Sequence, residues 1–122
     1  MIVQKERTIL LGRRARGPYK GAWCIPCGYL EWGEEVRAGA QREFLEETGL
    51  QVEVGPVYTV HSNFHNPQSL TVGIWFRSNV IAGSLQAADD LDAADYFPLD
   101  ALPENLAFPT DNLVLEQLRQ ES

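Results

Sequence analysis

The sequence has no apolar run long enough to cross a membrane, and its opening Met1-Ile-Val-Gln-Lys-Glu-Arg7 has no apolar core of the kind a signal peptide needs. A cytoplasmic protein is the expectation. Cysteine is scarce: Cys24 and Cys27 form one C-x-x-C. A structural zinc site asks for about four ligands, no second cysteine pair exists, and His61 and His65 lie far along the chain. Pro26 and Gly28 break up the segment where a redox C-x-x-C would want a helix start. Reduced structural thiols are the simpler account. Bases are scarce after the opening. Six of the ten lie in the first twenty positions (Lys5, Arg7, Arg13, Arg14, Arg16, Lys20), and from Leu85 onward nine acids face one base. A net charge of −7 argues against a general nucleic-acid binder. At 122 residues the expectation is one domain, residues 1–122, with a single core.

The informative stretch is Gly28 to Leu50, GYLEWGEEVRAGAQREFLEETGL. It opens as a loop, reads as helix from about Glu34, and closes on Gly49, suited to a left-handed C-cap. Glu43, Glu46 and Glu47 are spaced i, i+3, i+4 and fall within one arc of about 100°, with Glu35 beside them. Like charges on neighbouring turns repel. The plain reading is a solvated helix face; the chemical one is a ridge of oxygen ligands for a divalent cation. Val36, Ala40 and Phe44 supply an adjacent apolar face, and Arg42 is placed to orient a carboxylate.

Elsewhere, Thr8–Leu11 reads as a buried strand and Met1–Val3 as a short partner across a Gln4–Arg7 turn. Gly12–Gly21 reads as a basic loop. Gln51–Val60 reads as a strand bent at Gly55-Pro56, His61–Ser69 as loop, and Leu70–Ser78 as a strand followed by Val80–Ala82. Ala87–Asp95 reads as an acidic loop before a short strand at Tyr96-Phe97. Thr110 is expected to cap a helix from Asp111 whose apolar positions are Leu113, Val114, Leu115 and Leu118. Strands around one mid-chain and one terminal helix suggest a mixed sheet between helices.

Gly28, five residues, Glu34, seven residues, then Arg42-Glu43-Phe44-Leu45-Glu46-Glu47-Thr48-Gly49-Leu50 resembles the Nudix box, G-x5-E-x7-R-E-U-x-E-E-x-G-U, at every fixed position. The resemblance implies an α/β fold, the Nudix-type α/β/α sandwich with a mixed β-sheet between helices. It also implies a longer first strand, so an N-terminally trimmed chain is an expectation. The W-x-x-P-x-G lead-in is present as Trp23–Gly28, but Cys27-Gly28 stands where many relatives have Gly-Gly. That leaves the Cys27 carbonyl as the ligand there.

The implied activity is metal-dependent pyrophosphohydrolysis of a nucleoside diphosphate linked to another group, with Mg²⁺ as cofactor and Mn²⁺ able to substitute. By resemblance Glu46 and Glu47 are core metal ligands, and Glu43 is a ligand or the base. Arg42 orients the ridge and Glu34 supports the site. Asp89, Asp90 and Asp92 are candidates for a further acid. Arg13, Arg14, Trp23 and Tyr29 are the candidate substrate contacts, with Arg16 and Lys20 also available for phosphate and Trp32, Phe64 and Tyr96 for stacking. The zinc ribbon of some relatives and the S-Q-P-W-P-F-P-x-S element of NADH-cleaving ones are absent. Pro67 lies near a proline of ADP-ribose-cleaving relatives at a slightly different spacing. ADP-ribose or a nucleotide sugar is the favoured substrate. A (d)NTP, as for a house-cleaning enzyme, is the alternative, and a non-catalytic nucleotide-sensing module is the rival class. The partner is then a small molecule, with neither nucleic acid nor membrane involved, and a homodimer is expected by analogy alone.

Overall fold

The computed structural model describes residues 1–64, 67–68 and 70–121; the loop reading at His65, Asn66 and Ser69 lies outside the described residues. The elements run β1 (Ile2–Lys5), β2 (Thr8–Arg14), β3 (Trp23–Cys24), α1 (Val36–Thr48), β4 (Leu50–Asn63), β5 (Thr71–Gly83), β6 (Leu91–Pro98) and α2 (Pro109–Glu121). They form the mixed α/β arrangement expected.

Strand β2 explains the layering. Ile9, Leu10 and Leu11 are fully buried in succession, as a strand covered on both faces requires. Ile9 and Leu11 join Val114, Leu115 and Leu118 of α2 in one core cluster. Leu10 points the other way, into a cluster with Phe44 of α1 and Phe76 of β5. Alternation along one strand therefore holds a helix on each side of the sheet. The sheet order is β3-β2-β1-β5-β4, and β6 pairs with β2 off this path. The β1–β5 pair is parallel, Ile2 opposite Arg77, while the other strand pairs are antiparallel.

Several boundaries differ from expectation, because ladder pairing overrides local polarity. β2 runs on to Arg14, which takes Arg13 and Arg14 out of the basic loop. β6 begins at Leu91 rather than Tyr96, since its backbone pairs with β2 from Thr8–Pro98 to Arg14–Leu91. β4 continues through His61 to Asn63, and β5 passes without a break through Asn79. The bend at Gly55-Pro56 is a register shift between Val54 and Val57. α2 starts at Pro109, so Thr110 lies inside it rather than capping it, and Leu113 stands in water.

α1 starts at Val36, two residues later than read. Glu35 is its N-cap, with Oε2 accepting from Ala38 N–H at 2.9 Å; it is a cap and not part of the acidic ridge. Gly49 closes the helix at φ 77°, its N–H donating to the Leu45 carbonyl at 2.9 Å. No helix among the described residues is long and apolar enough to cross a membrane.

Candidate active site

The helix sets its glutamates at three different depths. Phe44 roots α1 in the core at 1% exposure, and Glu47, one turn on, is carried down with it to 1% exposure. Burial, reinforced by Cys27, Glu43 and Asp90 nearby, pushes the Glu47 carboxyl up to about 9. Its Oε1 has no hydrogen-bond partner. Glu43 is half-buried and raised for the same reason, burial outweighing Arg42. Glu46 faces outward, both oxygens 3.3 Å from Arg42 Nη1.

Arg42 is the hub of this ridge. Its Nε and Nη2 grip Glu34 as a fork, at 2.7 and 3.0 Å, and Nη1 lies 3.1 Å from Glu43. Glu34 also accepts from Glu31 N–H at 3.0 Å. The Arg42 fork, followed by that backbone bond, draws the Glu34 carboxyl down to about 2. Glu34 thereby anchors the loop to the helix, and its carboxylate lies over Gly39, where a Cβ would stand 2.7 Å from it.

A cleft of about 660 Å³ runs along this face, lined by Glu43, Glu47, Asp89, Asp90, Arg14 and Tyr29, with Cys27 and Gly28 in its wall. Asp89 and Asp90 arrive from the far side. Ala88 N–H donates to the Glu47 carbonyl at 3.0 Å and Gln86 N–H to that of Thr48 at 2.8 Å, which staples their loop to the end of α1. Asp89 adopts a left-handed φ of 55°. Arg16 clamps the pair, donating to the Asp89 carbonyl at 2.8 Å and lying 3.3 Å from the Asp90 carboxylate. The sequence offered Arg16 as a phosphate contact; in the fold it holds Asp89 and Asp90 instead.

The other candidates sit elsewhere. Asp92 pairs with Arg13 at 2.7 Å, and both lie outside the cleft lining. Trp23 is half-buried, edge-on to Phe97 at 4.8 Å, and is likewise not in the cleft wall. Arg14 does reach the cleft, its guanidinium 5.3 Å from the Phe108 ring centre, with Nε buried and unpartnered. Asp111, read only as a helix start, lies in the cleft floor at 4% exposure. Its Oδ2 accepts from Ile25 N–H at 3.0 Å, and burial pushes its carboxyl up to about 6.

The donor set suits a hard divalent cation. Glu43, Glu47, Asp89 and Asp90 share one cleft, and Glu47 keeps a buried oxygen without a partner. Among the described residues no three acidic, histidine or cysteine groups are drawn into a finished cage; Arg42 serves as counter-charge for Glu43 and Glu46 instead. Gly28 sets the clearance, since a Cβ there would run into the Glu43 carboxylate. Gly28→Ala is accordingly expected to displace Glu43 and cut kcat about a hundredfold, with the melting temperature little changed. Turnover at the parent rate would show that Glu43 is not held in a working position.

A family model described as the NUDIX domain matches residues 1–118. An ADP-ribose pyrophosphatase of Methanocaldococcus jannaschii is 37% identical over 119 residues, 97% of this chain and 70% of the relative. An oxidized purine nucleoside triphosphate hydrolase of Mus musculus is 30% identical over 128 residues, covering 99% of this chain and 78% of the relative. The crystal structure of a MutT NUDIX hydrolase from Burkholderia pseudomallei superposes with a TM-score of 0.86 at 27% identity, covering 95% of this chain and 92% of that one.

Proposed function

The chain belongs to the Nudix family and is a pyrophosphohydrolase, and from that premise we propose that residues 1–122 act as one catalytic domain on a nucleoside diphosphate joined to a second moiety, ADP-ribose or a nucleotide sugar. The observation that carries the reading is the Glu47 carboxylate, buried with an unpartnered oxygen beside Glu43, Asp89 and Asp90. A protein using α1 only as a scaffold gains nothing from burying that charge. The relative named an ADP-ribose pyrophosphatase supports the substrate.

In this reading Glu43, Glu46 and Glu47, with Asp89 or Asp90, would hold a divalent metal, Mg²⁺ or Mn²⁺. The Cys27 carbonyl is the backbone ligand in the same wall. A metal held there would supply charge neutralisation of the diphosphate and polarise its phosphorus toward water. Glu43, in the cleft wall 3.1 Å from Arg42 Nη1, is a ligand or the base that accepts the proton of the attacking water. Arg42 and Glu34 fix the helix face, Arg14 meets phosphate, and Tyr29, 76% exposed at the rim, covers the ligand.

A (d)NTP is the second reading, favoured by the Mus musculus relative. Turnover with Mg²⁺ on ADP-ribose, nucleotide sugars, NADH, dinucleoside polyphosphates, and normal and oxidised dNTPs separates the two. The expected result is metal-dependent release of a nucleoside monophosphate, fastest from ADP-ribose or a nucleotide sugar. Preference for a triphosphate would replace the first reading with the second. Binding without turnover on the whole panel would leave a sensing module.

A further inference from the structure

In a chain that is 22% charged, residues 54–76 contain no Asp, Glu, Lys or Arg. This run spans the outer part of the β4–β5 hairpin. The sheet order ends on β4, so one side of its backbone has no strand partner among the described residues. Edge strands are ordinarily guarded against other chains by charge, proline or bulges. Here the guards are Glu53, Pro56 and the register shifts at Val54/Val57 and Val57/Thr59, and none lies beyond Thr59. The Val52 carbonyl, nearer α1, is also taken, accepting from Gln41 Nε2 at 2.9 Å. Residues 59–63 then pair with β5 in unbroken register, as a regular and uncharged edge. Val60 lies opposite Ile74 and Ser62 opposite Val72, on the face that Phe76 turns to α1. The α1 core stops at Phe76 and Val54, which leaves Val60, Val72 and Ile74 between 42 and 65% exposed. Val57, Phe64 and Leu70 are bare at the same end. At ordinary residue areas these six expose on the order of 600 Å² per copy, at the upper end of what a monomer leaves in one apolar patch. With the edge backbone added, the surface approaches the roughly 800 Å² per partner of a stable interface.

We propose that this edge binds a second copy of the chain, with residues 59–63 of the two copies pairing antiparallel about a two-fold axis near His61. An antiparallel strand is its own complement in backbone hydrogen bonding, and a two-fold contact sets one patch against itself. Charge selects the same occupant. Two chains at −7 each repel where their charged surfaces meet, and least along this stretch. A strip without charge also gives a partner of opposite sign nothing to hold. The pairing sets Val60 of one copy beside Ser62 of the other and brings Phe64 to the Val57 end of the opposite strand. The sheet then continues through both copies with one apolar face.

Sedimentation equilibrium from about 1 to about 100 µM tests the proposal. Wild type is expected at twice the chain mass at the upper end. Val60→Lys puts a charge in the middle of the edge at an exposed position, and is expected to weaken the dimer about a hundredfold or more. Leu113→Lys is the control, since Leu113 is 56% exposed on α2, outside the uncharged run; it is expected to stay dimeric. Ser62→Lys repeats the first arm if Val60→Lys does not fold. Directly opposed residues of an antiparallel pair lie within disulfide reach. His61→Cys treated with diamide is therefore expected to form a covalent dimer beyond the wild-type blank, which carries Cys27, while Leu113→Cys is not. A wild type that is monomeric at about 100 µM overturns the proposal, and so does a dimer kept in both lysine variants of the edge or lost equally in Leu113→Lys. A dimer that dissociates in Val60→Lys yet gives no cross-link in His61→Cys overturns the strand pairing.

Discussion

Glu47→Gln is expected to lower kcat about a thousandfold or more and, in the metal-free protein, to raise the melting temperature at alkaline pH. The two effects have one cause. Glu47 is buried with Oε1 unpartnered, a poor place for a charge unless a cation is present. The amide has nearly the same shape and carries no charge. Its effect on stability follows from linkage. The Glu47 carboxyl titrates near 9 in the fold against 4.5 in its ordinary state, so between those values the folded chain binds the proton that the unfolded chain has released. Stability from this group is fully present below about 4.5 and is lost as pH rises toward about 9. The melting temperature of wild type should fall across that window more steeply than that of Glu47→Gln. Asp111, also raised, contributes equally to both proteins and cancels in the difference. Mn²⁺ should raise the melting temperature of wild type at the alkaline end more than that of the variant, because the variant lacks one of the carboxylates that would hold the ion. Thermal melts with and without Mn²⁺, beside kcat, check all three parts. A variant that still turns over, or whose melting curve keeps the wild-type pH slope, would sink the assignment of Glu47.

The box from Gly28 to Leu50 is legible because its spacing is local: three glutamates and an arginine on one helix need only a 3.6-residue period to be placed. What could not be read was depth. Helical periodicity puts Glu46 and Glu47 on one arc, but packing decides that Glu47 follows Phe44 into the core while Glu46 turns out to Arg42. The second limit was long-range pairing. β6 looked like an acidic loop because Asp89, Asp90, Asp92 and Asp95 are poor strand formers; seven residues of β2 backbone recruit most of that stretch into the sheet and leave Asp89 and Asp90 at the cleft. The same pairing removes Arg13 and Asp92, which neutralise each other away from it. Asp111 was invisible as a site residue, since an acid in a first helical turn has an ordinary explanation in the helix dipole.

Arg42→Lys is expected to lower kcat about a hundredfold although the charge is kept. The reason is shape. Arg42 binds Glu34 through two parallel bonds at 2.7 and 3.0 Å, with Nη1 left for Glu43 and Glu46. A lysine ammonium is a single point and meets one or two of these carboxylates, leaving the others to repel across one turn. Glu34 is the most dependent, since the Arg42 fork is the chief cause of its lowered titration and it also holds Glu31 and covers Gly39. Arg42→Ala should therefore lower the melting temperature more than Arg42→Lys, and adding Glu34→Gln to Arg42→Ala should recover part of that loss by discharging the stranded carboxylate. It should recover no turnover, because Glu43 and Glu46 still lack their orienting partner. Parent-level kcat in Arg42→Lys would mean that Arg42 serves only as a counter-charge. Rescue of turnover by Glu34→Gln would mean that the loop, rather than the ridge, is what Arg42 positions for catalysis.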